Sequence, residues 1–438
     1  MYRILLPGIR LKRWVLVNLA GMVVFACGII LLLDPQINLP AALWRVWAHL
    51  AQRPMPVSLP SIAGLACVLV GLTLVSIGTR RLIRAFTQVA NPATTGKEIL
   101  QRMLEERSPM PKLRVVGIGG GTGLSTLLRG LKNYPVDLTA IVTVSDDGGS
   151  SGRLRTDFDM PPPGDIRSCL VALADAEPLM ERLFQHRFQP KSGDIDGHTL
   201  GNLIIAGMRD ITGDFERAVQ EVSRVLAVRG RVLPSANRAL VLKATMADGQ
   251  VIEGETAIVA HEGAITSISI DPPDVPALPE ALQAIREADV IILGPGSVYS
   301  SLLPNLLIPE MAAAVASAKA LKFFVCNVMT QPGETDHFSA SRHLAVVLDH
   351  LHSANPFQYM VVNLQTPTPD ILSVYADKGQ LFVQPDLTQI RALGATPVTG
   401  TLLAEAHLAR HDPDKLANCI LQKVAEEIDW PELLQKQE

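Results

Sequence analysis

The stretch LRVVGIGGGTGLSTLLRGLKN, residues 113–133, leaves this chain little choice of fold. LRVVGI (113–118) is a short apolar run of the buried-strand type that stops at glycines, and LSTLLRGLKN (124–133) takes up helical spacing at once. LTAIVTVS (138–145) reads as a second strand. Two strands joined through a helix by about 20 residues pair in parallel, and such a crossover is right-handed. Further short apolar runs at ADVIILG (288–294), KFFVCNV (322–328) and YMVVNL (359–364) predict more strands of the same sheet, separated by helical stretches. The fold class is α/β, an open, mostly parallel sheet. From Arg231 to Ile270 the rhythm changes, with an Asp-Gly turn in VLKATMADGQVIEGE and a Glu262-Gly263 turn in AIVAHEGAITSISI. That segment predicts an inserted subdomain of antiparallel β-hairpins.

Ahead of this body lie two uncharged apolar runs, Trp14 to Leu33 and Val57 to Gly78. The first has twenty residues, which at 1.5 Å per residue matches the ~30 Å hydrocarbon core of a bilayer. It is long for the apolar region of a signal peptide, and no small-x-small cleavage site follows it. Arg3, Arg10, Lys12 and Arg13 precede the pair, and Arg80, Arg81 and Arg84 follow it. Positive flanks on the outer sides of both runs predict a two-pass hairpin in the cytoplasmic membrane, with the N-terminus and the main domain cytoplasmic. Trp44 and Trp47, within residues 41–51, suit the opposite interface. Neither run carries an ionisable residue of the kind that marks a transport path, so the hairpin reads as an anchor rather than a transporter. The resulting organisation is a hairpin over 1–84, a linker helix over 85–111, a globular domain over 112–430 and a tail over 431–438.

Charge divides along the same line. Residues 1–90 carry a net +8 and residues 91–438 a net −12. An acidic body without a Lys/Arg-rich run argues against nucleic acid as a partner. The five cysteines show no CxxC spacing, which points to neither a disulfide framework nor a thiolate metal site.

The chemistry-bearing residues gather where strands end. The first strand runs into Gly119, Gly120, Gly121, Thr122 and Gly123, with Ser125 in the helix that follows. Glycines allow close backbone approach to an anion, and a helix N-terminus favours phosphate. The loop matches neither GxGxxG nor GxxxxGK[ST], which counts against a dinucleotide oxidoreductase and against a Walker ATPase. The second strand ends in SDDGGSSGRLR, placing Asp146 and Asp147 at the sheet edge ahead of Gly148, Gly149 and Arg153. An acid there suits a ribose hydroxyl or base edge, two together suit Mg²⁺, and an Asx turn is the structural alternative. Asp165 and Arg167 open a helix after three prolines, the first as a cap and the second as a phosphate contact. Asn202 opens another. Gly294, Pro295, Gly296 and Ser297 follow a later strand and predict a wall opposite the first loop. Asn327 and Thr330 follow the next strand. His337 and His343 lack the spacing of metal ligands.

Six motifs in order, VVGIGGGTGLSTLLRGLK, VTVSDDGGSSGRLR, PPPGDIRSCLVALAD, GNLIIAGM, ILGPGSVYSSLLPNLL and CNVMTQPGETD, resemble the YvcK family of gluconeogenesis factors within the CofD-like superfamily. The resemblance covers about residues 112–430; the hairpin lies outside the usual pattern of that family. It implies a Rossmann-like fold that binds a UDP-sugar, UDP-N-acetylglucosamine or UDP-glucose, and supports cell shape and envelope synthesis during gluconeogenic growth. It implies no required cofactor and admits Mg²⁺, envelope-synthesis proteins and a homo-oligomer as partners. The CofD branch implies an alternative, a Mg²⁺-dependent transferase acting on a nucleotide-diphosphate-activated donor, with Asp146 and Asp147 on the metal. On the first reading Gly119 to Gly123 and Ser125 hold the diphosphate and Asp146 meets ribose or uracil. Gly294 to Ser297 close the far wall, with Asn327 and Thr330 near the sugar.

Overall fold

A computed structural model describes residues 11–33, 58–90 and 112–428, apart from 176–177, 190–192, 262, 352–353 and 405–407. The interfacial segment 41–51, most of the expected linker helix and the tail lie outside the described residues. The chain divides into two units, Met1–Met110 and Pro111–Glu438.

In the first unit, α1 (Leu11–Leu33) packs against α2 (Ser58–Ala90), which continues through the start of the expected linker. Their seam is made of glycine. Gly21 and Gly28 on one helix and Gly64, Gly71 and Gly78 on the other recur every seven residues. A Cβ on Gly28 would lie 2.7 Å from the Val68 nitrogen, and one on Gly71 would lie 2.6 Å from the Phe25 nitrogen. The backbones therefore meet with no room for a side chain. The large apolar side chains face outward instead, with Leu16 65%, Val23 62% and Leu69 58% exposed. A hairpin folded by water would bury them, whereas in lipid association relies on close packing of small residues. Near one end the Thr79 hydroxyl donates to Asn18 Oδ1 at 3.0 Å, and Arg81 lies over the Trp14 ring. By length and composition, Ala63–Arg81 is long and apolar enough to cross a bilayer; the apolar part of α1, Leu16–Leu31, is shorter. The expectation of two spans is thus met by one clear candidate.

The second unit is built on seven strands: β1 (Leu113–Gly119), β2 (Val136–Val142), β3 (Arg231–Pro234), β7 (Val290–Leu293), β8 (Leu321–Val325), β9 (Tyr359–Asn363) and β10 (Thr396–Gly400). Their order is β10-β9-β8-β7-β1-β2-β3, and every pairing is parallel. Val115 and Val116, neighbours on β1, point into two separate cores, one on each face. Burial on both faces is why the strands read as continuous apolar runs.

Helices of this unit include α3 (Thr122–Leu131), α4 (Gly149–Phe158), α5 (Gly164–Leu173), α6 (Leu200–Thr212) and α7 (Glu255–Ala260). In α3, Leu124, Leu127, Leu128 and Leu131 form a fully buried stripe, and the last helix, α8 (Pro413–Ile428), packs beside it. Leu124 lies beneath Gly117 of β1. Leu124→Ala should therefore cost about 3 kcal/mol in urea unfolding, and a loss below about 1 kcal/mol would contradict its burial.

A second sheet, ordered β5-β4-β6, comprises β4 (Val241–Met246), β5 (Val251–Glu253) and β6 (Ile265–Asp271), all antiparallel. The insertion is present with altered bounds. Residues 231–234 belong to the main sheet, and the segment ETAIVA is α7 rather than a hairpin arm. Its first turn is held by Asp147, whose Oδ1 accepts from the Thr256 amide at 2.9 Å and the Thr256 hydroxyl at 2.7 Å.

Candidate functional site

From β1 the chain moves outward one way to β2 and β3, and later the other way through β7 to β10. The loops leaving β1 and β7 therefore diverge, and that reversal opens a crevice at the carboxyl edge of the sheet. A cavity of about 560 Å³ occupies it. Gly121, Thr122 and Gly123 line one side, Pro295, Gly296 and Ser297 the other, with Asn327 and Gln331 from the loop after β8. Asp146 and Asp165 enter from the β2 side and Glu255 from the inserted subdomain; Tyr375, Lys378, Arg410 and His411 complete the lining.

The glycines have a visible reason. A Cβ on Gly121 would overlap the Asp165 carboxylate, and one on Gly123 would overlap the Pro295 carbonyl. The two walls thus touch backbone to backbone at Gly123. Gly119 is still within β1, and Gly120 backs onto Ser301 and Asp165. The Ser125 hydroxyl, buried, returns to the Thr122 carbonyl at 2.9 Å.

Asn327 serves the opposite loop. Its Oδ1 accepts from the Gly296 amide at 3.1 Å and its Nδ2 donates to the Gly296 carbonyl at 2.8 Å, while Gln331 donates to the Ser297 hydroxyl. One amide clamped to both polar groups of Gly296 fixes that wall. Thr330 is buried and bonded to Leu381 through both its amide and its hydroxyl, so it ties two loops together outside the lining. Gly294 likewise precedes the wall rather than forming it.

The adjacent aspartates part company. Asp146 accepts from the Gly148 amide at 2.9 Å, an Asx turn, and lines the cavity. Asp147 caps α7 instead, and Gly148 and Gly149 open α4. Asp165 and Glu255 are the acids that accompany Asp146 around the cavity, and among the described residues no group of three His, Cys, Asp or Glu is arranged to hold a metal. Arg153, Arg167 and Asn202 are not part of the lining.

Burial pushes the Asp165 carboxyl up to about 7, with the charge of Asp146 adding to it and the Gly121 amide opposing. Burial likewise pushes Glu255 up to about 9, reinforced by Asp146, Asp165 and Glu334. Glu334 is itself raised by burial; its Oε1 accepts from the Ser300 hydroxyl at 2.9 Å. At neutral pH Glu255 is thus a neutral donor. Burial holds His411 down at about 4, so it is neutral too. The cavity has an acidic, partly protonated side and a side carrying Lys378 and Arg410.

Glu255, Gln331, Tyr375, Lys378, Arg410 and His411 escaped the reading of the sequence. They sit in an insertion, a mid-loop position and segments near the carboxyl terminus without glycine turns or paired acids to draw notice.

Comparison with known proteins supplies an independent view. Residues 115–403 match the family described as 2-phospho-L-lactate transferase CofD. The gluconeogenesis factor of Bacillus subtilis is 48% identical over 317 residues, covering 72% of this chain and 99% of that protein. A relative from Nostoc sp. is 42% identical over 428 residues, covering 96% of this chain and 92% of its own. A solved crystal structure of a Bacillus halodurans protein superposes with a TM-score of 0.69 at 48% identity, over 71% of this chain and 99% of that one. The Nostoc match runs through the amino-terminal helices. The Bacillus subtilis match, at 72% of this chain, leaves more than a quarter of it uncovered.

Proposed function

The chain belongs to the CofD family, among its gluconeogenesis factors, and from that premise we propose that it binds a UDP-sugar in the switch-point cavity as a membrane-anchored regulator. UDP-N-acetylglucosamine and UDP-glucose are the ligands of this reading, and support of cell shape and envelope synthesis during gluconeogenic growth is the task. The observation that carries it is the cavity itself: two glycine turns at diverging strand ends, with the start of α3 facing it through Thr122 and Gly123. Free amides at a helix start suit a diphosphate. Lys378 and Arg410 add charge, and Asp146, Asp165 and Glu255 suit ribose or sugar hydroxyls.

The acidic side supports a second reading, a transferase in which Mg²⁺ accompanies the ligand. Mg²⁺ commonly takes one or two carboxylates and completes its shell with water and substrate phosphates. Asp146 and Asp165 fit that demand only with the phosphates present, whereas Asp147 is committed to Thr256. Such a cation would neutralise the phosphates.

Calorimetric titration of the full chain with UDP-N-acetylglucosamine, with and without Mg²⁺, tests both readings when the mixture is also assayed for UDP. Binding with the sugar nucleotide recovered intact supports the regulator, Mg²⁺-dependent release of UDP the transferase, and absence of binding overturns both.

Anchoring has its own test. The Bacillus subtilis relative covers only 72% of this chain. Deleting residues 1–90 should leave UDP-N-acetylglucosamine affinity within about twofold and move the protein from the membrane to the soluble fraction. A truncated protein that still pellets with membranes would refute the anchor.

A further inference from the structure

Three arginines gather beside the cavity without lining it. Arg153 of α4 donates to the Asp196 carbonyl, and the exposed Arg187 donates to the Gly197 carbonyl at 2.6 Å. Arg167 of α5 lies across the first turn of α6, where a Cβ on Gly201 would come within 2.8 Å of its Cδ. Among the described residues none of the three has a carboxylate within ion-pair distance. The carboxylates nearest Arg167, Asp146 and Asp165, are turned to the Gly148 and Gly121 amides, and Asp157 faces His198. Arg167 is mostly buried, and both that burial and the like charge of Arg187 weaken its hold on its proton. Arg153 and Arg187 are exposed, so the cost of this like charge falls on the partly buried Arg167, and an anion would relieve it.

The surroundings are built for one. The starts of α4 and α6 converge here, and neither has a side-chain cap. Asn202 Nδ2 donates to the Ser150 hydroxyl at 3.0 Å, which also meets His198 Nδ1 at 3.0 Å, so the two helix starts are joined. Thr199 and Asn202 are each only 2% exposed, yet Thr199 Oγ1 and Asn202 Oδ1 have no partner, and neither has Arg167 Nε. The Thr199 hydroxyl at the start of α6 and the Arg167 Nε–H are unspent donors of the kind an oxyanion satisfies, whereas Asn202 Oδ1 can only accept.

We infer that Arg153, Arg167 and Arg187, with the starts of α4 and α6, form a second binding site for the phosphate group of a phosphorylated small molecule, separate from the UDP-sugar cavity. Arginine forks bind phosphate in two-pronged fashion, and helix starts supply amide donors. The site stands without the UDP-sugar reading, because none of its residues lines the cavity.

The test titrates the full chain with inorganic phosphate, pyrophosphate and glucose 6-phosphate in sulfate-free buffer, each with and without saturating UDP-N-acetylglucosamine. At least one probe should bind in both conditions, and the tightest one distinguishes a free phosphate source from a sugar phosphate. Arg187→Glu, at an exposed position, should weaken that binding tenfold or more and leave UDP-N-acetylglucosamine affinity within twofold and the circular dichroism spectrum unchanged within error; Arg153→Ala should act in the same direction. Absence of binding by all three probes overturns the site, as does competition by UDP-N-acetylglucosamine or an unchanged affinity in Arg187→Glu. If UDP-N-acetylglucosamine itself fails to bind, the phosphate titrations still decide the matter.

Discussion

Replacing Gly123 by valine should lower UDP-N-acetylglucosamine affinity by at least roughly a hundredfold, which is about 2.7 kcal/mol of binding free energy. The cause is geometric. The Pro295 carbonyl occupies the place of a side chain at residue 123, so valine must push the loops after β1 and β7 apart. That separation moves the first amides of α3 away from the wall that Asn327 clamps through Gly296. The strands beneath remain paired, so circular dichroism should be preserved while binding is lost. Gly207 is the control: it sits inside α6 with nothing within 4 Å of a Cβ, and Gly207→Ala should keep full affinity and add about 0.5–1 kcal/mol of stability. Retained affinity in Gly123→Val would remove the cavity from the account of binding.

The second large effect is on stability against pH. Asp165 and Glu255 hold their protons more tightly in the folded chain than in the unfolded one, with folded values of about 7 and about 9. The folded state therefore binds more protons, and its stability falls as pH rises. The contribution is whole below the ordinary carboxylate range near 4 and is lost progressively as pH climbs through about 7 and then about 9. The melting temperature should drop by on the order of 5 °C between pH 6 and pH 9.5. Glu255→Gln should flatten the upper part of that curve, between pH 7 and 9.5, and raise the melting temperature at pH 9, because glutamine stays neutral where glutamate is forced to ionise. Scanning calorimetry of both proteins reads the difference; identical curves would mean that Glu255 is not held neutral beside Asp146 and Asp165.

Much of this architecture was readable from residue order alone. The β1-loop-α3 unit follows from an apolar run, a glycine stop and leucines at helical spacing, and the structure keeps it within a few residues. β10 went unread because TPVTG contains Pro397 and is only partly buried, as suits an edge strand that needs few ladder bonds. The segment ETAIVA resembled a strand arm, and its helix depends on Asp147, more than a hundred positions earlier, to satisfy its first turn. Long-range partners of that kind leave no local pattern. The same holds for the site: loops after β1 and β7 announce themselves by glycine, while Glu255, Lys378 and Arg410 reach the cavity only because distant segments fold over it. The parting of Asp146 from Asp147 is a further case, since two adjacent acids look equivalent until one finds Gly148 and the other Thr256. The seven-residue glycine rhythm of the hairpin, by contrast, is plain in the sequence once the apolar runs are read for small residues as well as for length.

The contact between Gly123 and Pro295 makes the cavity a slot with a fixed base. Walls that already touch leave no space between them there, so the room for a ligand lies in the rest of the lining. Of the lining residues, Lys378 and Arg410 are exposed cations. Two exposed cations on the lining favour an anionic guest by long-range attraction, and raising the ionic strength should slow arrival far more than departure.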